Sequence, residues 1–397
     1  MSSFQSLATA IAAQVGTGNL AGAATAIAMG GPGAIFWMWI AAFFGMATIF
    51  AEAVLAQTYK TTDDQGHVTG GPAYYISKGL GSKKLAAFFS ISIIIALGFI
   101  GNMVQSNAIS NAFQEALGIP TWIVGVVLVI ICGFIFVGGV QRLAAVTEKI
   151  VPIMAAIFLL GALAVLVIRI QYIPATFAMI FQYAFEPQAI IGGGFGYALK
   201  EAISQGAKRG LFSNEAGMGS TPHAHAQANV KDPHDQGVVA MVSVFIDTFI
   251  VLTLNALVVI STLYTPGGIL AQGYTEKVSQ VINKTNLAQT AFGTVFGTQA
   301  GAMFVAVCLF FFAFSTVLSW NMFGKINIIY LFGKKAAPVY SVIALVFIFL
   351  GTLMSNDLVW ELTDMFNNLM VIPNAIALFA LSGVVVKICH ISKKASK

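Results

Sequence analysis

The 397-residue chain is strongly apolar, with 58% hydrophobic residues, 9% charged residues and a mean hydropathy of +0.85. Soluble domains carry about 25% charged residues, so the composition excludes a soluble globular protein. Repeated apolar runs of about 20 residues, without period-two alternation, favour membrane-spanning helices over a barrel. The net charge is +5, and the three cysteines (Cys132, Cys308 and Cys389) are too widely spaced for a disulfide or metal framework.

Ten apolar stretches predict ten membrane spans. They cover residues 5–29, 32–57, 85–112, 121–140, 148–171, 187–207, 237–264, 299–324, 337–355 and 361–388. With a cytoplasmic N-terminus, 17 of the 20 basic residues lie on the cytoplasmic side, and only Arg169, Lys277 and Lys284 fall outside it. The positive-inside rule therefore predicts cytoplasmic N- and C-termini for a multi-pass protein of the inner (plasma) membrane.

The first span contains the stretch QVGTGNLAG at 14–22. Glycine inside a helix costs about 1 kcal/mol relative to alanine, so Gly16, Gly18 and Gly22 predict an interrupted helix. An unwound helix offers N–H groups that suit a carboxylate and carbonyls that suit a cation, and Thr17 and Asn19 add side-chain oxygens. The alternative is that these glycines serve close helix packing, as is frequent in membranes.

A second glycine cluster, GGGFG at 192–196, lies in the sixth span. Two halves of five spans, residues 1–171 and 187–388, would be inverted relative to each other, with a tail at 389–397. Matching interruptions in the first span of each half are typical of secondary transporters and mark their binding site. The sequence thus predicts an all-α membrane protein with a five-plus-five inverted repeat and two broken helices.

Several polar residues inside the spans each allow two interpretations. Gln105 and Asn107 in the third span either line a cavity or hydrogen-bond between helices. Ser315 and Thr316 in the eighth span either face a ligand or bond to carbonyls of their own helix. Trp320 is either a pocket wall or an interfacial anchor.

Acidic residues predicted within spans include Glu52, Asp247, Glu361 and Asp364. Ionisable groups inside a membrane are functional candidates. Glu52 suits a structural hydrogen bond to a broken helix as well as a transport role. Asp247, with apolar neighbours on both sides, is the better candidate for a buried, partnered carboxylate.

Four motifs together resemble the alanine or glycine:cation symporter family, the sodium:alanine symporters. They are GTGNLAGAATAIAMGGPGAIFWMW at 16–39, RGLFSNEAGMGS at 209–220, FAFSTVLSWN at 312–321 and MVIPN at 370–374. The resemblance implies a leucine-transporter-type fold and uptake of alanine or glycine coupled to Na⁺, or to H⁺ in some members. Members usually carry a further helix before the segment that begins here at SSFQSLATAI, so either the start is truncated or this member dispenses with that helix.

The resemblance also implies site residues, and no cofactor besides the coupling ion. Substrate would bind at Thr17, Gly18, Asn19, Gln105, Gly192, Gly193, Gly194 and Trp320. One Na⁺ would bind at the carbonyls of Ala12 and Val15 with Ser315 and Thr316, and a second ion near Gln14 and Asn19. The segment 209–228 would cap the inner end of span six or form part of an inner gate.

Two other classes of protein fit the sequence less well. A membrane-embedded enzyme would need a catalytic or metal cluster, but His223 and His225 are two residues apart and do not share a helix face. A channel would need a repeated filter segment, which is not visible in the sequence. A nucleic-acid partner is not expected, and the expected partners are a small amino acid, Na⁺ or H⁺, and the lipid bilayer.

Overall fold

The computed structural model describes residues 1–62, 66–137, 139–186, 195–271 and 286–395. Within these ranges the chain is almost entirely helical. The one sheet among them is a short hairpin of β1 (Thr61–Thr62) and β2 (Val68–Thr69), in which Thr61 pairs with Thr69. The predicted all-α class is confirmed for the described residues.

The helices of the first part of the chain follow one another with short connections. They are α1 (Ser3–Gln14), π1 (Gly18–Gly22), α2 (Ala23–Gly30), α3 (Ala34–Tyr59), α4 (Pro72–Gly79), α5 (Lys83–Ile93), π2 (Ile94–Gly101), α6 (Asn102–Leu117), α7 (Thr121–Val137), α8 (Gly139–Ile168), a 3-10 turn (Ile170–Tyr172) and α9 (Ile173–Phe185). The segments π1 and π2 are π-helical, a conformation that is often found at functional sites.

The second part of the chain continues in the same way. Its helices are α10 (Phe195–Asn214), α11 (Pro222–Ala226), α12 (Pro233–Val244), π3 (Phe245–Leu252), α13 (Thr253–Leu263), α14 (Leu287–Phe296), α15 (Thr298–Phe332), a 3-10 turn (Lys334–Ala336), α16 (Ala337–Gly351) and α17 (Asn356–Ala395). The last helix begins five residues before the predicted tenth span, so Glu361 and Asp364 lie inside it.

Seven helical stretches are long and apolar enough to cross a membrane. They are Ala34–Tyr59, Lys83–Leu117, Arg142–Ile168, Pro233–Leu263, Thr298–Phe332, Lys334–Gly351 and Asn356–Ser392. Each overlaps one predicted span, and the shorter apolar helix Thr121–Val137 overlaps the fourth. The two predicted spans that remain, the first and the sixth, correspond to interrupted helices. The chain is therefore a multi-pass membrane protein.

The interruption predicted in QVGTGNLAG is present in the structure. Helix α1 ends at Gln14, and Val15 leaves the helical conformation with φ −77° and ψ 84°. The chain re-enters helix through π1 at Gly18. Three residues, 15–17, thus separate two half-helices that a continuous span would have joined.

The structure also shows an interruption that the sequence did not predict. Gly192, Gly193 and Gly194 fall outside the described residues, but Phe195 already begins α10, which runs unbroken to Asn214. The helix is interrupted at 215–221 and resumes as α11. Helix α10 thus continues past the predicted end of the sixth span at 207, and this interruption belongs to the RGLFSNEAGMGS motif.

The packing of the helices brings the two interruptions together. Helix α3 packs against α10 and α12, α1 packs against α8 and α15, and α2 packs against α10. The two interrupted helices are therefore neighbours, enclosed by α3, α8, α12 and α15. Two large apolar clusters, one around α2, α8 and α13 and the other around π2, α15 and α16, support them on either side.

The connection before α12 is fastened to the end of the last helix. Asp232 caps α12 by accepting the N–H of His234 at 2.9 Å, and it also accepts the hydroxyl of Ser392. These two hydrogen bonds favour the charged carboxylate and lower the pKa of Asp232 below its usual value of 3.8. The end of α17 is thereby anchored beside the start of α12.

Candidate functional site

At the first interruption, two side chains accept the free backbone donors. The N–H of Gly16 donates to Asn19 Oδ1 at 3.0 Å, and the N–H of Thr17 donates to Gln105 Oε1 at 3.2 Å. Two side-chain atoms of this group, Thr17 Oγ1 and Gln105 Nε2, are buried with no hydrogen-bond partner among the described residues. A buried polar atom without a partner costs about 1–3 kcal/mol. The arrangement therefore suits a polar ligand that supplies the missing partners.

A cluster of oxygens lies where α15 meets the end of α1. The hydroxyls of Thr316 and Ser315 donate to the carbonyl of Ala12 at 2.9 and 3.4 Å. Both hydroxyls are also within 3.0 Å of the carbonyl of Phe312 on their own helix. Each hydroxyl therefore bonds to a carbonyl of its own helix, as one interpretation predicts, and also reaches a carbonyl of the first span. Hard cations prefer such oxygen sets.

Two further residues belong to this cluster, Val15, which was predicted, and Phe312, which was not. Val15 is the residue at which α1 ends, and its N–H donates to the carbonyl of Ile11 at 2.8 Å. Phe312 was missed by the sequence reasoning, because a backbone carbonyl carries no signal in the residue type. The i to i+4 spacing from Phe312 to Thr316 was the signal that could have found it.

Glycine is required at the first interruption because other groups approach the backbone closely. A Cβ added to Gly16 would lie 2.5 Å from Thr316 Oγ1, and one added to Gly18 would lie 2.9 Å from the Cα of Ser213. The glycines thus serve the interruption and close helix packing together. Gly18 contacts the end of α10, so the two interrupted helices touch at this point.

Asp247 joins three helices in the interior. Its carboxylate accepts Asn19 Nδ2 at 2.7 Å, the hydroxyl of Ser213 at 3.1 Å and the hydroxyl of Thr248 at 2.8 Å. All three donors are neutral, and the carboxylate is fully buried. The prediction of a buried, partnered carboxylate is confirmed. Gln14 lies beside this group, with its amide donating to the carbonyl of Asn214 at 2.7 Å.

Glu52 holds the second interruption. Its carboxylate accepts the N–H groups of Gly217 at 3.1 Å and Gly219 at 2.9 Å, and Nδ2 of Asn374 at 2.6 Å. Both glycines adopt positive φ, 90° and 79°, which a residue with a Cβ rarely adopts. Of the two alternatives for Glu52, the structural hydrogen bond to a broken helix is the one observed. Asn374 comes from MVIPN and also accepts the hydroxyl of Tyr75.

The structure excludes one of the two predicted places for Trp320 and assigns Asn107 to one of its two. Trp320 is fully buried and its indole N–H donates to Glu215, so it is not an interfacial anchor. Asn107 donates to the carbonyls of Gly351 at 2.9 Å and Met354 at 2.8 Å, which makes it a bond between helices. The residues that meet at the first interruption are thus Thr17, Gly18, Asn19 and Gln105. The ring of Phe212 lies between this group and Trp320.

The segment 209–228 is almost entirely buried. Arg209 pairs with Asp364 at 3.3 Å, and its guanidinium lies 4.3 Å from the ring centre of Trp360. The ring of His223 lies between the carbonyl of Ser220 and the amide of Asn327. The described residues contain no group of three His, Cys, Asp or Glu side chains that could hold a metal ion.

Besides an apolar cavity lined by Ile11 and Val15, two cavities with polar lining residues contact the first interrupted helix on either side of the interruption. One of about 330 Å³ is lined by Ala21 of π1 together with Asn111 and Asn356. The other, of about 890 Å³, is lined by Gln5 of α1 together with Lys325. The interruption at 15–17 lies between Gln5 and Ala21 along the helix, so each cavity approaches it from one end.

Comparisons with known proteins agree with this architecture. A family model described as the sodium:alanine symporter family matches residues 1–397. The sodium/alanine symporter AgcS of Methanococcus maripaludis is 42% identical over 391 residues, which cover 97% of this chain and 83% of that protein. The putative sodium/proton-dependent alanine carrier protein YrbD of Bacillus subtilis is 42% identical over 387 residues, with 96% and 79% covered.

A solved structure shows the same fold. MhsT, solved in complex with L-phenylalanine, superposes with a TM-score of 0.64 at 13% identity, covering 94% of this chain and 88% of that one. The matching proteins are transporters and not enzymes. This chain belongs to the sodium:alanine symporter family.

Proposed function

We propose that the protein couples the inward flow of Na⁺, or of H⁺, to the uptake of a small neutral amino acid, alanine or glycine, by alternating access. The observation that carries the proposal is the pair of buried, unpartnered atoms at the first interruption, Thr17 Oγ1 and Gln105 Nε2. A zwitterion brings both acceptors and donors, so it can satisfy a hydroxyl and an amide together. The two cavities at either end of this helix support access from both sides.

The proposed coupling ion binds the oxygens of Ala12, Val15, Ser315 and Thr316. The short Ala12 to Thr316 distance of 2.9 Å supports this assignment, because ligands of one cation must lie close together. An ion there would join α15 to the end of α1, and substrate would bind on the other side of the same break. Binding of the ion and the substrate would then stabilise one arrangement of the interrupted helix.

A second cation is proposed at Asp247, with Asn19 and Ser213 and with Gln14 nearby. A buried carboxylate with only neutral donors needs a cation or a proton to offset its charge. The hydrogen bond from Asn19 Nδ2 at 2.7 Å ties this group directly to the first interruption. A cation here would therefore affect the same backbone as the substrate does.

The finer organisation is also a proposal. It comprises two inverted five-helix halves, residues 1–171 and 187–388, a tail at 389–397 and cytoplasmic termini in the inner membrane. Gly192, Gly193 and Gly194 remain proposed pocket residues of span six. No cofactor is proposed besides the coupling ion.

The proposal is tested by uptake in proteoliposomes. Labelled L-alanine should accumulate against its gradient with an inward Na⁺ gradient or an inward pH gradient, and unlabelled glycine or D-alanine added in excess reports selectivity. Downhill flux that is insensitive to both gradients would contradict the proposal.

A variant pair isolates the site. Thr17→Val removes the unpartnered hydroxyl at nearly constant volume and should lower alanine affinity by about tenfold or more, since a lost hydrogen bond in a buried site costs 1.4 kcal/mol or more. Thr262→Val removes a buried hydroxyl that bonds only to carbonyls of its own helix, Val258 and Val259, and serves as the control.

A further inference from the structure

Glu215 is a buried carboxylate in a strained backbone conformation. It has φ 56°, and it is the one residue other than glycine with positive φ in the described part of the chain. Such conformations cost about 1–3 kcal/mol and persist where the surrounding contacts hold them, often at functional sites. The contacts of its side chain therefore indicate which arrangement this strained conformation serves.

Each carboxylate oxygen of Glu215 has one donor. Oε1 accepts the indole N–H of Trp320, and Oε2 accepts the hydroxyl of Ser220. Bonds to a charged acceptor are shorter and stronger than neutral ones. The indole N–H is the only hydrogen-bond donor of a tryptophan side chain, so this bond fixes the rotation of the ring.

The ring of Trp320 is confined on its other sides by close contacts. A Cβ on Gly101 would lie 2.5 Å from Cζ3 of the indole. The ring of Phe212 meets the indole edge-on, with 5.8 Å between ring centres. Phe212 in turn would lie 3.2 Å from a Cβ on Gly18. A continuous series of contacts thus runs from Glu215 through Trp320 and Phe212 to the first interruption.

We infer that Glu215 is a positioning residue for substrate size: it holds Trp320 in the orientation that limits the side chain the site accepts. The inference rests on the proposed function, because it assumes that an amino acid binds at the first interruption. Without the bond to Glu215, the indole can turn and leave room for a longer side chain. One methylene in an apolar pocket changes selectivity by about 10- to 200-fold, so a small displacement of the ring is measurable.

The test measures how well unlabelled alanine and unlabelled glutamine inhibit the uptake of labelled alanine. The ratio of their half-inhibitory concentrations reports selectivity independently of the amount of active protein. Glu215→Ala should lower the preference for alanine by about tenfold. Glu215→Gln keeps an acceptor for the indole and a polar group for Ser220, and it should retain the wild-type ratio.

A double-variant comparison separates this role from a general structural one. Trp320→Phe keeps an aromatic ring but has no N–H, so adding Glu215→Ala to it should not change the ratio further. The control is Thr253→Val, which removes the acceptor of another indole, that of Trp39 (2.8 Å), and should leave the ratio unchanged.

The outcomes distinguish this inference from the proposed function. If the wild-type protein transports no alanine, the proposed function fails. If it transports alanine but Glu215→Ala leaves the ratio within about twofold, or Glu215→Gln behaves like Glu215→Ala, the inference is overturned. Should Glu215→Ala not reach the membrane, Ser220→Ala, which frees one carboxylate oxygen, should shift the ratio in the same direction, and an unchanged ratio would overturn the inference equally.

Discussion

The two interrupted helices differ in what happens to the polar groups that each interruption frees. At residues 15–17, Asn19 and Gln105 accept two N–H groups, while Thr17 Oγ1 and Gln105 Nε2 have no partner among the described residues. At 215–221, the N–H groups of Gly217 and Gly219 are both accepted by Glu52.

This difference separates two uses of an unwound helix. Backbone groups without a partner cannot persist in hydrocarbon, so each interruption needs partners. Each interruption contains one buried hydroxyl without a partner among the described residues, Thr17 Oγ1 at the first and Thr221 Oγ1 at the second. The difference is that an acidic side chain from a distant helix, Glu52, accepts two N–H groups of the second, whereas the acceptors at the first are the amides of Asn19 and Gln105. The first is therefore expected to respond to substrate and ions, and the second to determine the stability and placement of the structure around them.

The largest expected effect comes from filling the contact between the two interrupted helices. Gly18→Ala places a methyl group 2.9 Å from the Cα of Ser213, a backbone atom that cannot turn away. Overpacking costs about 1–3 kcal/mol, so uptake of alanine should fall up to about 100-fold. Gly22→Ala, whose Cβ would have its nearest neighbour at 3.6 Å, is the control in the same π-helix. Equal uptake by both variants would contradict the close approach.

The next largest expected effect is a loss of stability when the second interruption is altered. Glu52→Gln replaces one acceptor oxygen with an NH₂ group. This group is a donor, so it cannot accept the N–H of Gly217 or Gly219. Hydrogen bonds to charged groups contribute about 1.5–3 kcal/mol, so the melting temperature in detergent should fall clearly. The Na⁺ concentration for half-maximal uptake should change less than about threefold. Glu361→Gln changes an exposed acid and is the control. An unaltered melting temperature would show that Glu52 does not hold the break.

At the first interruption the expectation is reversed, and the Na⁺ dependence should change more than the melting temperature. Thr316→Val removes the oxygen 2.9 Å from the carbonyl of Ala12, and Ser315→Ala removes the one at 3.4 Å. The Na⁺ concentration for half-maximal uptake should rise by about tenfold for Thr316→Val and by less for Ser315→Ala, since loss of one ligand costs about 1.4 kcal/mol. If Na⁺ dependence is unchanged in both, the hydroxyls only bond to helices.

The smallest expected effect is the change in melting temperature on replacing Asp232. This residue lies outside both interruptions, so its variant provides a reference for them. Asp232→Ala removes a helix cap, which is worth about 1 kcal/mol. Because the folded-state pKa of Asp232 is lowered, its contribution is present above pH 4 and is lost as the pH falls through the folded value. The melting temperatures of variant and wild type should therefore differ more at pH 7 than at pH 3. Asp235→Ala, an exposed neighbour with 70% of its side chain accessible, is the control.

Much of the site was predictable where local composition decides the structure. The interruption at QVGTGNLAG followed from three glycines beside polar residues, and the hydroxyl pair Ser315 and Thr316 followed from its isolation in an apolar helix. The interruption at 215–221 was not predicted, because NEAGMGS has fewer glycines than GGGFG, whose first three residues lie outside the described part of the chain. Glycine content permits unwinding, but partners for the freed groups decide where it occurs.

By itself, the sequence determined that the chain spans a membrane repeatedly, where the seven long apolar helices of the described residues lie, and that the helix containing QVGTGNLAG is broken. Hydrophobic length and glycine content are local properties, so they need no knowledge of neighbours. Only the tertiary structure decided that Glu52 and Asn374 hold the break at 215–221 and that Glu215 meets Trp320. Those partners are separated by 105 to 322 residues in sequence, and hydrogen bonds over such distances exist only once the helices have packed.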